Sequence, residues 1–286
     1  MENTINFEEE FLGMHSDKPH ILRYMKEALG KDELTWSDMT VLNLVAIAAY
    51  IKNKVTSNSA GIYFSAIKGF LNLFADEVRL PTTKYNSILK AKKEPQQNVA
   101  LTEEEVEMVY NYYRDMATKN EKNLEAEVLN LFLIECYCGS RGVDVEAMSE
   151  KNICNGMLTY VSKKTHIMAT MPVHHRLQGL LLDKTNKKYS RCTKNRILKR
   201  VCRNVGISYP VTIFYHGSMV TKPKYEFIGM HCARRSFASV LSAKGVPVSE
   251  IAQYMSHANI SMTERYIKVN TNKASEAAMS FFSTND

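Results

Sequence analysis

The C-terminal third of the chain must fold as short helices separated by breaks. Gly245 can end one helix in the left-handed conformation that glycine tolerates, and Pro247 can begin the next. His257 and Tyr266 are nine residues apart, so a turn of about 100° per residue would put them on opposite faces of an unbroken helix. The Ser261–Glu264 capping-box pattern predicts that a new helix starts there and turns Tyr266 back toward His257. The spacing therefore allows these two side chains to meet.

Two arginines and a histidine are further candidates for the same site as His257 and Tyr266. His231 and Arg234 lie three residues apart in the first of the predicted helices, so both project from one face and can approach a single phosphate. By itself this pair is common, and its ordinary interpretation is a packed histidine and an ion-paired arginine. Arg141 follows a predicted helix break at Gly139-Ser140 and begins the next element. The alternative interpretation of Tyr266, which is less favoured, is the aromatic anchor of a small amphipathic helix.

Taken together, these residue types can cleave a phosphodiester without a metal ion. Tyrosine has a reference pKa of about 10, so it is a weak nucleophile that needs a proton acceptor and an electropositive site. The planar forks of Arg141 and Arg234 can contact the non-bridging oxygens and stabilise a five-coordinate transition state. Two short strands, predicted at residues 157–162 and 167–171, place Lys163 and Lys164 at a hairpin tip, where either lysine can protonate the departing oxygen.

The first 95 residues predict a small helical domain that ends in a basic linker. Apolar residues recur at helical spacing within residues 38–51, and a second helical set follows. The second set is Ile62, Phe64, Ile67, Phe70, Leu71 and Phe74. The stretch 81–98, with prolines and several lysines, is typical of a linker. A capping box at Thr102–Glu105 opens a second domain, residues 100–286, in which residues 124–137 predict a strongly apolar helix.

The charge distribution favours a polyanionic partner. The 286-residue chain carries a net charge of +7, and the segment 184–225 contains no Asp or Glu among its many Lys and Arg residues. A solvated helix face would normally intersperse acids, so phosphate contacts are the favoured interpretation. The candidate DNA contacts are Lys84, Lys90, Lys92, Lys93, Lys194, Arg196, Lys199 and Arg200.

Other function classes receive little support. Six cysteines form no CxxC pair and no zinc-like spacing with histidine, which predicts free thiols in a reducing cytoplasm and no metal site. The pairs His174-His175 and Cys136-Tyr-Cys138 lack further ligands at suitable spacing. The sequence has no stretch suited to a signal peptide or a transmembrane helix, so no membrane association is expected.

The order of these motifs resembles the tyrosine recombinase (phage integrase) family. The resemblance rests on Gly139-Ser-Arg141-Gly-Val-Asp144, Lys164-Thr165, His231-X-X-Arg234, His257 and Tyr266. It implies a mainly α-helical, two-domain DNA clamp with a small β-sheet or hairpin in the C-terminal domain. It also implies that Arg141, Lys164, His231, Arg234, His257 and Tyr266 are catalytic, that Asp144 holds the site in place, and that no cofactor is needed. The departures are Gly142, Cys232-Ala233 and a long segment at residues 211–227.

The resemblance also implies an activity and an assembly. A site-specific recombinase of integrase, invertase or resolvase type would cleave and rejoin double-stranded DNA through a 3′-phosphotyrosyl intermediate. The protein is expected to be a monomer when free and a homo-tetramer on two DNA sites. Residues 273–282 predict a C-terminal helix that packs into a neighbouring subunit. The alternatives are a topoisomerase of type IB mechanism and a DNA-binding regulator that is no longer catalytic.

Overall fold

The computed structural model describes residues 5–94, 99–118, 123–215 and 218–267. The chain divides into one unit formed by Met1–Gln96 with Phe214–Met219, and another formed by Gln97–Ile213 with Val220–Asp286. Helices dominate both, and small antiparallel sheets occur in the second half of the chain. The predicted fold class, mainly α-helical with a small sheet in the C-terminal region, is confirmed.

Helices build the N-terminal unit. They are α1 (Phe7–Met14), α2 (Pro19–Leu29), α3 (Val41–Lys54), α4 (Ser57–Leu73) and α5 (Tyr85–Ile88). Thr40 caps α3 and Thr56 caps α4, each by accepting a hydrogen bond from a backbone N–H three residues later. Of the apolar set predicted in α4, Ile62 is 58% exposed, whereas Phe64 and Phe70 are buried in the core. Both predicted helices are therefore confirmed, and Ile62 lies outside the buried face of α4.

The C-terminal unit combines helices with a three-stranded sheet and most of a two-stranded sheet. Its first elements are α6 (Glu103–Thr118), α7 (Leu124–Cys138), α8 (Gly142–Val145), β1 (Ile153–Cys154), β2 (Met157–Val161), β3 (Met168–Pro172) and α9 (Leu177–Asp183). These are followed by α10 (Arg191–Asn204), β4 (Pro210–Tyr215), β5 (Ser218–Pro223), α11 (Met230–Ala243), α12 (Val248–Tyr254) and α13 (Ile260–Ile267). The core of this unit is built largely from α7, which is buried on most of its surface, and from the helices packed around it.

The start of α6 and the end of α7 form as predicted. Thr102 and Glu105 make the reciprocal capping box, in which the Thr102 N–H donates to the Glu105 carboxylate and the Glu105 N–H donates to the Thr102 hydroxyl. Helix α7 ends at Gly139, which has φ 61°. A Cβ atom at Gly139 would lie 2.2 Å from the Phe237 ring, so this helix end has both a conformational and a steric need for glycine.

The predicted hairpin is confirmed, and the structure adds a third strand. Strands β2 and β3 pair antiparallel, with Met157 opposite Pro172 and Val161 opposite Met168. The two-residue strand β1 pairs with the other edge of β2 and was not predicted, because two residues carry no periodicity. The long segment at residues 211–227 contains most of the two-stranded β4–β5 sheet.

The predicted breaks among the last helices are present, although one cap was wrong. Helix α11 ends before Gly245, which has φ 83°. Helix α13 begins at Ile260, and the Asn259 side chain accepts from the Ser261 N–H at 2.9 Å. Asn259 is therefore the cap instead of Ser261, because asparagine caps as well as serine and occurs two residues earlier. The helix predicted at residues 273–282 lies outside the described residues.

No helix within the described ranges is long and apolar enough to cross a membrane.

Candidate active site

Tyr266 lies beside two histidines that come from different elements. Its hydroxyl is 3.1 Å from Nε2 of His231, in the first turn of α11. The ring centroid of Tyr266 is 5.7 Å from that of His231 and 5.6 Å from that of His257, which follows α12. The Ser239 hydroxyl, two turns beyond His231 on α11, donates to the Tyr266 backbone carbonyl at 3.2 Å. Helix α13 therefore returns Tyr266 to His257, as the predicted break requires.

Arg234 is buried and connects the ends of two helices. It is 1% exposed, and its guanidinium donates to the carbonyl oxygens of Gly139, after α7, and Met255, after α12. Burial and the neighbouring charge of Arg141 lower the pKa of Arg234, while Tyr160 and Tyr266 oppose that shift. Arg234 is therefore close to both Arg141 and Tyr266. Among the described residues no carboxylate forms an ion pair with Arg234, contrary to the alternative interpretation of the His-X-X-Arg pair.

Arg141 and Asp144 both contact the β2–β3 turn. Arg141 is the N-cap residue of α8, and its Nη1 donates to Oγ of the buried Ser162 at 2.8 Å. Asp144 is 3% exposed, and its Oδ1 accepts from the Lys163 backbone N–H at 2.8 Å. Asp144 thus fixes the backbone that carries the two candidate lysines.

The two candidate lysines lie on the exposed turn between β2 and β3. Lys163 and Lys164 are exposed on the turn, and among the described residues neither ammonium makes a hydrogen bond or an ion pair. The next residue, Thr165, donates from its hydroxyl to the Ser256 carbonyl at 3.2 Å. The backbone of the turn is therefore anchored at both sides of Lys164, while the lysine side chain extends freely into solvent.

Both histidines are neutral at pH 7. Nδ1 of His257 lies 2.7 Å from the hydroxyl of the buried Thr263, and its buried Nε2 has no partner among the described residues. Burial, followed by the charges of Arg234 and Arg141, lowers the pKa of His257 to about 3. Desolvation, followed by the charges of Arg235 and Arg234, lowers the pKa of His231 to about 4. A neutral His231 can accept the proton of Tyr266.

The low histidine pKa values predict an acid-sensitive fold. Folding favours neutral His257, whose pKa is about 3 when folded and 6.5 ordinarily, so its contribution is present above about pH 6.5 and is lost as the pH falls. We expect the melting midpoint of the wild type to fall more between about pH 7 and about pH 5 than that of His257→Asn. Differential scanning fluorimetry measures both.

The comparison with His257→Asn is necessary because a buried acid changes the stability with pH in the opposite direction. Burial raises the pKa of Glu135 in α7 to about 8, so the stability it contributes is lost as the pH rises from its ordinary 4.5 through that value. Because Glu135 is present in both proteins, its effect cancels in the difference. Identical pH slopes for the wild type and His257→Asn would contradict the prediction.

Several basic side chains of the segment 184–225 form ion pairs with acidic residues of other elements. Lys187 pairs with Glu127 at 2.8 Å, Lys199 pairs with Glu226 at 3.5 Å, and Arg200 pairs with Glu125. The buried ammonium of Lys224 pairs with Glu105 and donates to the Tyr209 hydroxyl. Part of the positive charge is therefore used within the protein. Within the described residues, Lys194 and Arg196 of α10 have no ion pair, and Lys84, Lys90, Lys92 and Lys93 are exposed without one.

Two polar residues at the site were not predicted. Ser162 contacts Arg141, and Thr263 contacts His257. Thr263 had a detectable signal, because it lies three residues before Tyr266 and therefore on the same face of α13. Ser162 had none, since its role depends on a residue 21 positions away.

The cysteines are all unpaired, and within the described residues no group of three or more His, Cys, Asp or Glu side chains is arranged to hold a metal ion.

The model of the phage integrase family matches residues 68–273, which is more than half of the sequence. The chain belongs to this family, the tyrosine recombinases, and the predicted family and enzyme class are confirmed. No curated protein sequence matches the chain.

Solved structures share the fold at low sequence identity. A lambda integrase dimer bound to a COC′ core site is 16% identical, with a TM-score of 0.62 over 94% of this chain and 95% of that one. XerH recombinase in a post-cleavage complex with a palindromic difH substrate is 14% identical, with a TM-score of 0.66 over 93% and 79%. The Tn1549 transposon integrase with a circular intermediate DNA is 12% identical, with a TM-score of 0.65 over 97% and 98%.

Proposed function

We propose that this recombinase cleaves and rejoins double-stranded DNA at specific sites through Tyr266. The Tyr266 oxygen attacks the scissile phosphorus and forms a 3′-phosphotyrosyl bond as the bond to the 5′ oxygen breaks. A 5′-hydroxyl from a partner duplex then reverses the attack and exchanges the strands without ATP. The observation that carries the proposal is the 3.1 Å contact between the Tyr266 hydroxyl and His231, beside the buried Arg234.

The two arginines supply the charge that the transition state needs. Arg141 is half-buried and Arg234 is fully buried, so their charges act in a medium that screens less than water. Their forks donate to the non-bridging oxygens, which gain negative charge as the phosphorus becomes five-coordinate. Because Arg234 is held by two backbone carbonyls, its position is set before DNA arrives.

The histidines have different roles. His231 accepts the Tyr266 proton on Nε2, since it is neutral and in contact with the hydroxyl. His257 receives a hydrogen bond on Nδ1 from Thr263, and its unpartnered Nε2–H donates to a phosphate oxygen. On this proposal His231 is the base and His257 is a donor to the phosphate.

Lys164 protonates the departing 5′ oxygen, while Asp144 holds the turn that carries it. We expect Lys164→Ala to slow formation of the covalent adduct by about 10²-fold or more, with Lys163→Ala as the matched control close to the wild-type rate. A substrate with sulfur in place of the 5′ bridging oxygen should restore the Lys164→Ala rate, because a thiolate leaves without protonation. Rescue of Lys163→Ala instead would move the role to that lysine.

The two domains and the basic residues provide the DNA contacts. Residues 1–95 form the core-DNA-binding domain with its basic linker, and residues 100–286 form the catalytic domain. Lys84, Lys90, Lys92, Lys93, Lys194 and Arg196 contact phosphates, and Lys199 and Arg200 join them by exchanging their carboxylate partners for phosphates. Such contacts would give most of the affinity and make it strongly dependent on salt.

The assembly is a homo-tetramer on two DNA sites, formed from monomers that are separate in the absence of DNA. The lambda integrase tetramer bound to a Holliday junction supports this assembly, with a TM-score of 0.65 over 96% of this chain. A cytoplasmic integrase, invertase or resolvase of a mobile element is the biological setting, and the Tn1549 transposon integrase supports that choice.

Two assays on plasmids separate the proposed recombinase from its rivals. We expect strand exchange between two plasmid copies of the DNA that flanks the gene. Supercoil relaxation without any exchanged product would identify a topoisomerase of type IB mechanism. DNA binding with neither activity would identify a regulator that has kept only the fold.

A further inference from the structure

Helix α11, which carries His231, receives its N-terminal cap from a different helix. Its own N-cap residue is Gly229, which has no side chain to accept a hydrogen bond. The first N–H of the helix, that of Met230, donates instead to Oδ1 of Asn195 at 3.0 Å. Asn195 belongs to α10 and lies 35 positions earlier in the chain. Asparagine is among the strongest capping residues, and here it acts across two helices.

Gly229 leaves the room that this contact needs. A Cβ atom at Gly229 would lie 2.9 Å from Oδ1 and 3.2 Å from Cγ of Asn195. The φ of Gly229 is −158°, which any residue can adopt, so the glycine is required for space and not for its conformation. Any larger residue would push the Asn195 amide away from Met230.

The cap lies next to the reacting groups. His231 directly follows Met230, so the contact that fixes the first residue of α11 also fixes the backbone from which the His231 ring extends toward the Tyr266 hydroxyl. Arg191, one turn before Asn195 on α10, is close enough for its charge to help lower the pKa of His231. The start of α10 therefore borders the site.

We propose that Asn195 and Gly229 are positioning residues for DNA cleavage, because their contact sets His231 at hydrogen-bond distance from Tyr266. This inference rests on the proposed function of Tyr266 as nucleophile and His231 as its base. Misplacement of a reacting group by about 1 Å can slow a reaction by about 10²-fold, so a modest shift of the helix start has a measurable effect on rate.

The test is single-turnover formation of the covalent adduct on a nicked duplex at saturating DNA and about pH 8, where both site histidines are neutral. We expect Asn195→Ala and Gly229→Ala each to reduce the rate by about tenfold or more, with the DNA dissociation constant little changed. Asn195→Asp keeps the acceptor and should stay within about threefold of the wild type. Cys192→Ala, an exposed position on the same helix, is the matched control.

The double variant decides whether the two residues act through one contact. Asn195→Ala removes the atom that a Cβ at position 229 would strike, so the double variant should be no slower than the slower single variant. Multiplied defects, a wild-type rate for Asn195→Ala, or no recovery by Asn195→Asp would each overturn the inference.

Two further measurements distinguish a failure of this inference from loss of folding and from a failure of the proposed function. All proteins are assayed below the lowest of their melting midpoints, and if Asn195→Ala does not fold, Gly229→Ala measured against Asn195→Asp makes the same distinction. Absence of adduct in the wild type on DNA that it binds would instead refute the proposed function.

Discussion

A Tyr266→Phe protein is expected to bind DNA as the wild type does and to form no covalent adduct. The substitution removes one oxygen and keeps a ring that packs against the core of the C-terminal unit. The substitution removes the hydrogen bonds of the Tyr266 hydroxyl to His231 and to Arg234, each worth about 0.5–1.5 kcal/mol. Fold and DNA affinity should therefore survive, whereas the nucleophile is gone.

Gel shifts and denaturing gels on the same nicked duplex measure binding and adduct separately. Tyr254→Phe is the matched control, because it also loses a hydroxyl hydrogen bond, to Glu250, but has no hydrogen bond to Tyr266 among the described residues. It should form adducts at about the wild-type rate. Adducts that persist in Tyr266→Phe would mean that another side chain is the nucleophile.

Arg234→Lys is expected to lose both catalysis and stability. A lysine ammonium cannot reproduce the fork that reaches the Gly139 and Met255 carbonyls together, so at least one buried acceptor loses its donor. An unpaired buried group costs about 1–3 kcal/mol, which should appear as a lower midpoint of urea unfolding. Loss of one preorganised donor to the transition state should reduce the adduct rate by about 10²–10³-fold.

An exposed arginine provides the control for this substitution. Arg114→Lys in α6 changes the same side chain in the same way at the surface, and it should alter neither the stability nor the adduct rate. If Arg234→Lys matched it in the adduct rate, the proposed contact between Arg234 and the scissile phosphate would be wrong.

Local patterns in the sequence predicted the helix ends that position the site. The break at Gly139 before Arg141, the end of α11 at Gly245 and the hairpin that carries Lys164 all depend on residues within a few positions of one another. Glycine, proline and capping residues act through short-range sterics and hydrogen bonds, so their signals are readable without the fold. The error at the start of α13 has the same origin, because Asn259 and Ser261 lie only two positions apart and either can cap the helix.

Contacts between distant segments could not be predicted from local sequence patterns. The acids that neutralise Lys187, Lys199 and Arg200 lie on other elements, so a segment that is one-signed in sequence is partly paired in the fold. Asn195 caps α11, and Arg234 donates hydrogen bonds to carbonyl oxygens at two helix ends. These hydrogen bonds join residues that are 21 to 95 positions apart. Nothing in spacing or periodicity encodes such partners, since they follow from packing.

Peptide mapping of the covalent adduct tests the central claim most directly. The wild-type protein is reacted with nicked duplexes from the DNA that flanks its gene, digested, and analysed by mass spectrometry. We predict one nucleotide-bearing peptide, modified at Tyr266 through a 3′-phosphate. An adduct on any other residue, or none on DNA that the protein binds, would contradict the claim that Tyr266 cleaves DNA.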